Sequence, residues 1–96
     1  MPTLKWLPEA LADLDRLLGF LRERDPRAAN RAARTIRRHA DTLRTAPAIG
    51  SPMRDGSMRR ELVIPFGARA YVLRYRLDAE GHVVVIRVWH GRERRN

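Results

Sequence analysis

The sequence predicts an α+β fold in which an N-terminal helical hairpin packs on a small antiparallel sheet of three to four strands. Between residues 7 and 43 apolar side chains recur at intervals of three and four, the period of an amphipathic helix. Prolines and glycines interrupt that pattern between residues 45 and 57. Beyond residue 59 the apolar side chains alternate with polar ones, the period of a β-strand.

The first helix is predicted to begin at Pro8 and to end near Arg24. Proline suits the first turn of a helix because its missing N–H has no intrahelical partner there. Asp25 can cap the next helix and Pro26 can open it, so the two helices should form an αα-hairpin. The buried stripe of the first helix comprises Leu7, Ala10, Leu11, Leu14, Leu17, Leu18 and Leu21.

The second helix combines a stripe of small apolar residues with a row of arginines. Its small residues predict close packing on the first helix. A row of arginines is typical of a solvated helix face, and contact with phosphate is the alternative. The apolar stripe comprises Ala29, Ala32, Ala33, Ile36, Ala40 and Leu43, and the arginines are Arg27, Arg31, Arg34, Arg37, Arg38 and Arg44.

Three strands are predicted in the second half of the chain. The first, around 60–64, is closed by Pro65 and Gly67. The second should turn Tyr71, Leu73, Tyr75 and Leu77 toward the helices and Ala70, Val72, Arg74 and Arg76 away from them. The third, 83–88, is almost continuously apolar, which indicates a central position. Residues 3–6 can supply a fourth strand.

Composition predicts one globular domain over residues 1–96. Twenty Lys and Arg against eleven Asp and Glu give a formal net charge of +9, and Lys5 is the only lysine. Arginine binds carboxylate or phosphate through paired hydrogen bonds, so an acidic protein or a nucleic acid is the expected partner. The absence of cysteine excludes disulfides and thiol chemistry. No sequence motif for a metal, a nucleotide cofactor or a membrane span is present, so we expect a soluble cytoplasmic protein without a cofactor.

One histidine stands where chemistry is plausible, directly after the last predicted strand. The imidazole of His90 could transfer a proton while Arg60, Arg74 or Arg76 stabilises charge on a phosphate, which would cleave RNA without a metal. The favoured interpretation is structural, with Trp89 and His90 closing the sheet and the arginines forming a contact patch.

Three segments, in this order after a proline-containing helical hairpin, resemble toxins of the ParE/RelE superfamily over nearly the whole chain. They are Arg60-Glu61-Leu62-Val63-Ile64, Tyr71-Val72-Leu73-Arg74-Tyr75-Arg76 and Val88-Trp89-His90-Gly91-Arg92. The resemblance implies a growth-arresting toxin of a bacterial type II toxin–antitoxin pair of the plasmid-stabilising kind. Its cognate antitoxin would fold an acidic or amphipathic tail onto the toxin and bind operator DNA through a separate domain. Arg59, Arg74 and Arg76 are the expected antitoxin-binding residues.

The superfamily includes two kinds of toxin, which differ in target. ParE-like members inhibit DNA gyrase and are not nucleases, whereas RelE-like members cut messenger RNA on the ribosome with catalytic lysines, an arginine after the third-strand tyrosine and often a C-terminal tyrosine. Here Val72 follows Tyr71, Lys5 is the only lysine and the C-terminal segment has no tyrosine, so the ParE-like function is favoured.

Under the ParE-like interpretation Trp89, His90 and Arg92 are the expected target-binding residues. The RelE-like alternative assigns catalysis to Arg60, Arg74 and His90. A third alternative, a basic nucleic-acid-binding module, is disfavoured because few aromatic residues are available to stack on bases.

Overall fold

In a computed structural model, which describes residues 2–95, two helices pack on one face of a five-stranded sheet. This confirms the predicted α+β class. In chain order the elements are β1 (Leu4–Trp6), α1 (Pro8–Arg24), α2 (Pro26–Thr42), β2 (Ser51–Pro52), β3 (Arg60–Phe66), β4 (Arg69–Leu77) and β5 (Val83–His90). The strands lie side by side in the order β1-β5-β4-β3-β2.

The predicted sheet of three to four antiparallel strands is wrong in strand number and in the direction of one pairing. β1 runs parallel to β5, with Leu4 beside Val83. A parallel partner distant in sequence leaves no local signal, since both helices and the β3–β4 hairpin separate the two strands. β2 lies inside the predicted loop and pairs antiparallel with the start of β3. Two residues are too few to show an alternating pattern.

Local signals at the helix termini correspond to the observed boundaries. Pro8 and Pro26 each occupy the first turn of a helix. The Asp25 carboxylate accepts a hydrogen bond from the Ala28 amide at 3.1 Å, which is the predicted cap. On α2 the small residues Ala32 and Ala40 are completely buried, so the helix lies close to its neighbours.

The hydrophobic core lies between the helices and the sheet. Tyr71, Leu73 and Tyr75 of β4 belong to it, as the alternation predicted. Two predicted core residues are instead exposed: Leu77, 45% accessible where β4 ends, and Leu11, 48% accessible on α1. The apolar run of β5 is an interior strand between β1 and β4, and β4 is the central one.

A buried carboxylate joins α1 to the sheet. β1 ends at Trp6, opposite Val85, so the amide of Val88 further along β5 has no strand partner on that side. The carboxylate of Asp13, only 5% exposed, accepts from that amide at 2.9 Å. It also accepts from Arg87 Nε at 2.6 Å and Nη2 at 3.0 Å. Asp13 therefore closes the open edge of β5 and fixes α1 against it.

A second set of hydrogen bonds fastens the connection between α2 and β3. The Tyr75 hydroxyl donates to the Pro47 carbonyl at 2.7 Å and accepts from the Gly50 amide at 2.9 Å. A Cβ at position 50 would lie 2.6 Å from that hydroxyl, so only glycine fits there. Arg60 donates to the carbonyl oxygens of Gly50 and Ala48 at 2.7 and 3.2 Å. The glycine that the sequence marks as a breaker thus also allows close packing.

Asp13→Asn is expected to destabilise the protein by about 1–3 kcal/mol at neutral pH, since it removes the charge that faces the partly exposed Arg87 guanidinium. Burial alone would raise the pKa of Asp13, but the hydrogen bonds from Arg87 and Val88 outweigh it and hold that pKa below 3.8. A depressed carboxyl pKa stabilises the fold above the unfolded-state pKa, and this contribution is lost as the pH falls through the folded-state value. The difference between variant and wild type should therefore shrink below about pH 4.

Urea denaturation across this pH range measures the effect, and Asp15→Asn on the exposed side of α1 is the matched control. A difference between Asp13→Asn and wild type that stays constant with pH would contradict the assignment.

Candidate functional site

A groove of about 800 Å³ opens between α1 and the turn that joins β3 to β4. We call it the α1 groove. Its apolar wall includes Phe20, a large aromatic side chain that is 61% exposed. The remaining apolar and aromatic lining comes from Leu17, Leu21, Phe66, Tyr71 and His90. Exposed aromatic surface beside a concave pocket is typical of a binding site.

The rim of the α1 groove is cationic. Arg69 and Arg92 are exposed, and neither forms an ion pair within residues 2–95. Arg16 is partly neutralised, because it pairs with Glu93 and lies 3.6 Å from Asp13. The groove therefore combines an apolar wall with two uncompensated guanidinium groups.

His90 is held at the base of this groove. Its ring meets Tyr71 edge-on, with centroids 6.0 Å apart and an interplanar angle of 89°. The Arg92 amide donates to His90 Nδ1 at 3.2 Å, which places the proton of the neutral ring on Nε2. Desolvation raises the pKa of Tyr71, so its hydroxyl stays protonated at neutral pH. An imidazole and a phenol thus share one cationic groove.

The three residues predicted for ribonuclease catalysis do not meet. On β4, His90 is opposite Tyr71 and Arg60 is opposite Tyr75, so His90 and Arg60 are separated by about 13 Å along the strand direction. Arg74 lies on the other face of the sheet, since consecutive residues of a strand point to opposite sides. It is only 5% exposed. The chain brings no two of these three side chains into a common site.

On the face of the sheet away from the helices, Arg74 belongs to an arginine–tryptophan cluster. Its guanidinium donates twice to Glu61, at 3.1 and 2.9 Å, and lies 4.6 Å from the Trp89 ring centroid. Arg87 lies 5.1 Å from the same centroid, and Arg95 donates to both oxygens of Glu61. Burial tends to raise the pKa of Glu61, but Arg74 and Arg95 lower it further than burial raises it. Glu61 thus offsets part of the positive charge of the cluster.

The predicted antitoxin-binding arginines have different surroundings. Arg76 is exposed, whereas Arg74 is committed to Glu61. Arg59 precedes β3 and pairs with Asp55 at 3.3 Å, and its Nε is buried without a hydrogen-bond partner in the described chain. Of the three, Arg76 alone is both exposed and outside any ion pair that the described residues form.

The predicted target-binding residues are divided between the two faces of the sheet. Trp89 lies in the arginine–tryptophan cluster and is 6% exposed, whereas His90 and Arg92 line the α1 groove. Sequence analysis missed Phe20 and Arg69 as site residues. Phe20 falls outside the predicted leucine stripe of α1, and an aromatic residue on the polar side of a helix was the available signal.

No group of three or more histidine, aspartate or glutamate side chains within residues 2–95 is arranged to hold a metal ion. Among the helices of the same residues, none combines the length and the apolar character needed to cross a bilayer.

Comparisons with known proteins agree with the resemblance predicted from the sequence. A family model described as ParE toxin of type II toxin-antitoxin system, parDE, matches residues 4–95. Toxin RelE1 of Caulobacter vibrioides is 46% identical over 86 residues, covering 90% of this chain and 89% of that protein. Toxin RelE3 of the same organism is 38% identical over 95 residues, covering 99% and 100%.

The fold has a counterpart among solved structures. A chain from the chromosomal ParDE TA system of P. aeruginosa superposes with a TM-score of 0.74 at 20% identity, covering 94% of this chain and 96% of that one. The family match along residues 4–95, together with the two similar Caulobacter toxins, shows that this chain belongs to the ParE toxin family of type II toxin–antitoxin systems, within the ParE/RelE superfamily.

Proposed function

We propose that this toxin arrests growth by binding and inhibiting DNA gyrase, and that it does not cut RNA. The observation that carries the proposal is the dispersal of Arg60, Arg74 and His90. General acid–base catalysis requires its groups within hydrogen-bond reach of one reacting phosphate. Here Arg60 is about 13 Å along the strand direction from His90, and Arg74 is buried on the opposite face in an ion pair with Glu61.

We also propose that a cognate antitoxin neutralises the toxin in the cytoplasm and contacts operator DNA for the pair. The α1 groove suits an amphipathic acidic segment, since Phe20 and Phe66 offer apolar contact while Arg69 and Arg92 offer unpaired charge. Apolar anchors in a concave site supply affinity, and complementary charge at the rim supplies specificity. Arg76 remains a further candidate for antitoxin contact, as the sequence predicted, whereas Arg59 and Arg74 are already engaged.

One observation favours the ribonuclease as a second candidate function. His90 contacts Tyr71 in a groove that Arg69 and Arg92 make cationic. A bound RNA phosphate could be neutralised by the two arginines while the imidazole transfers a proton. This arrangement would use a different set of arginines from those predicted by the sequence.

Purified toxin assayed in parallel on gyrase supercoiling and on ribosome-bound messenger RNA separates the two functions. We expect inhibition of supercoiling and intact message. Wild type and His90→Ala should be indistinguishable in the RNA assay, because neither cuts. Rapid transcript cleavage that His90→Ala abolishes would contradict the gyrase proposal and establish the second candidate.

Phe20→Ala is expected to weaken the binding of the antitoxin's acidic segment by about 10–100-fold, since an exposed aromatic anchor in a groove commonly dominates an interface. Fluorescence polarisation with a labelled antitoxin peptide measures the change. Val63→Ala is the matched control, because Val63 is an equally exposed apolar residue on the opposite face of the sheet. Loss of affinity in Val63→Ala, with none in Phe20→Ala, would place the antitoxin on the other face.

A further inference from the structure

The outward side of α2 carries a straight row of arginines. At 100° per residue, the members of the row fall within about 60° of one another around the helix axis. They lie diametrically opposite the buried side, whose residues Ala29, Ala32, Ile36 and Ala40 have no accessible surface. We call this row the arginine stripe; it consists of Arg27, Arg31, Arg34 and Arg38.

The charge of the arginine stripe is not compensated by carboxylates. All four side chains are exposed, and none forms an ion pair with another residue in 2–95. The nearest acids of the helix are engaged, Asp25 with the Ala28 amide and Asp41 with Arg44 at 3.0 Å. Like charges spaced three and four residues apart destabilise a helix. A helix face that only contacts solvent would be more stable with positive and negative charges interspersed.

The surroundings of the stripe distinguish between classes of macromolecular partner. Asn30 and Asp41 flank it on the same side of the helix, and no apolar side chain lies among its members. Protein partners gain affinity mainly from apolar or aromatic anchors in desolvated pockets, which this surface lacks and the α1 groove has. A phosphate backbone needs only positive charge and hydrogen-bond donors, which guanidinium groups supply in pairs.

We propose that the arginine stripe binds the phosphate backbone of duplex DNA without reading its sequence. From Arg27 to Arg38 the stripe extends about 16.5 Å along the helix, at 1.5 Å per residue. Duplex DNA presents about ten phosphate charges over that length. This contact would be direct, in addition to operator recognition by the antitoxin, and it does not depend on whether gyrase is the target.

Binding of a fluorescent DNA duplex of about 20 base pairs, measured by anisotropy over a series of salt concentrations, tests the proposal. Each lost phosphate contact reduces the slope of log K against log salt by about 0.9. The triple variant Arg27→Gln, Arg31→Gln, Arg34→Gln should therefore reduce the magnitude of this slope by about 2.7. It should also weaken DNA binding at low salt by about tenfold or more. Glutamine keeps the helix propensity of arginine, and circular dichroism checks that the fold is intact.

A control variant with the same loss of charge separates local contact from net charge. Lys5→Gln, Arg54→Gln, Arg94→Gln removes three exposed cations that lie outside α2 and should retain most of the affinity and the slope. Equal losses in both variants would overturn the proposal, as would an unchanged slope in the stripe variant. The proposal would also be overturned if the wild type bound duplex RNA but not duplex DNA. The same holds if the stripe variant no longer bound a glutamate-rich peptide but still bound DNA.

Discussion

The carboxylate of Asp13 accepts a hydrogen bond from the Val88 amide, which β1 leaves without a strand partner. The arrangement of the α1 groove and of the arginine–tryptophan cluster depends on this contact. The same carboxylate holds the guanidinium of Arg87, which lies over one side of Trp89. Arg74 also lies near that ring and is bound in turn to Glu61. Contacts therefore run without a break from α1, through the edge of β5, to the opposite face of the sheet. Because α1 forms one wall of the α1 groove, the ion pair between buried Asp13 and partly exposed Arg87 helps to position that wall, together with the apolar contacts of α1.

Ion pairs between carboxylates and arginines explain how a strongly basic protein obtains surfaces that differ in charge and in apolar content. Asp13, Glu61 and Glu93 each bind arginine and have depressed pKa values despite the opposing effect of burial. They offset part of the arginine charge near the sheet. Unpaired cations remain on several surfaces, among them the rim of the α1 groove and the outer side of α2, and of these two only the groove adds apolar surface. We assign the mixed surface to a protein partner and the purely cationic one to nucleic acid.

The features that could be predicted from the sequence are those with local causes. Pro8, Asp25 and Pro26 act within one helical turn, so the helix boundaries followed from them. The parallel pairing of β1 with β5 depends on residues about 80 positions apart, and nothing in either segment specifies the partner. Similarly, nothing in the sequence around Arg74 indicates that Glu61 lies opposite it on the neighbouring strand and forms an ion pair with it.

The predicted target-binding residues Trp89 and His90 are consecutive on a strand, and consecutive strand residues point to opposite faces. The alternation therefore assigns His90 to the side of Tyr71 and Trp89 to the side of Arg74. The α1 groove itself could not have been foreseen, because it depends on how the β3–β4 turn approaches α1 in three dimensions.

Hydrogen exchange at the Val88 amide tests the central role of Asp13 most directly. An unpaired amide at a sheet edge exchanges rapidly, whereas one bound to a buried carboxylate exchanges only when the surrounding unit opens. We predict that Val88 is protected to nearly the same extent as the amides of the interior strand β4 in the wild type, and that it loses this protection in Asp13→Ala, which leaves no acceptor for the Val88 amide. Rapid exchange at Val88 in the wild-type protein would contradict the account.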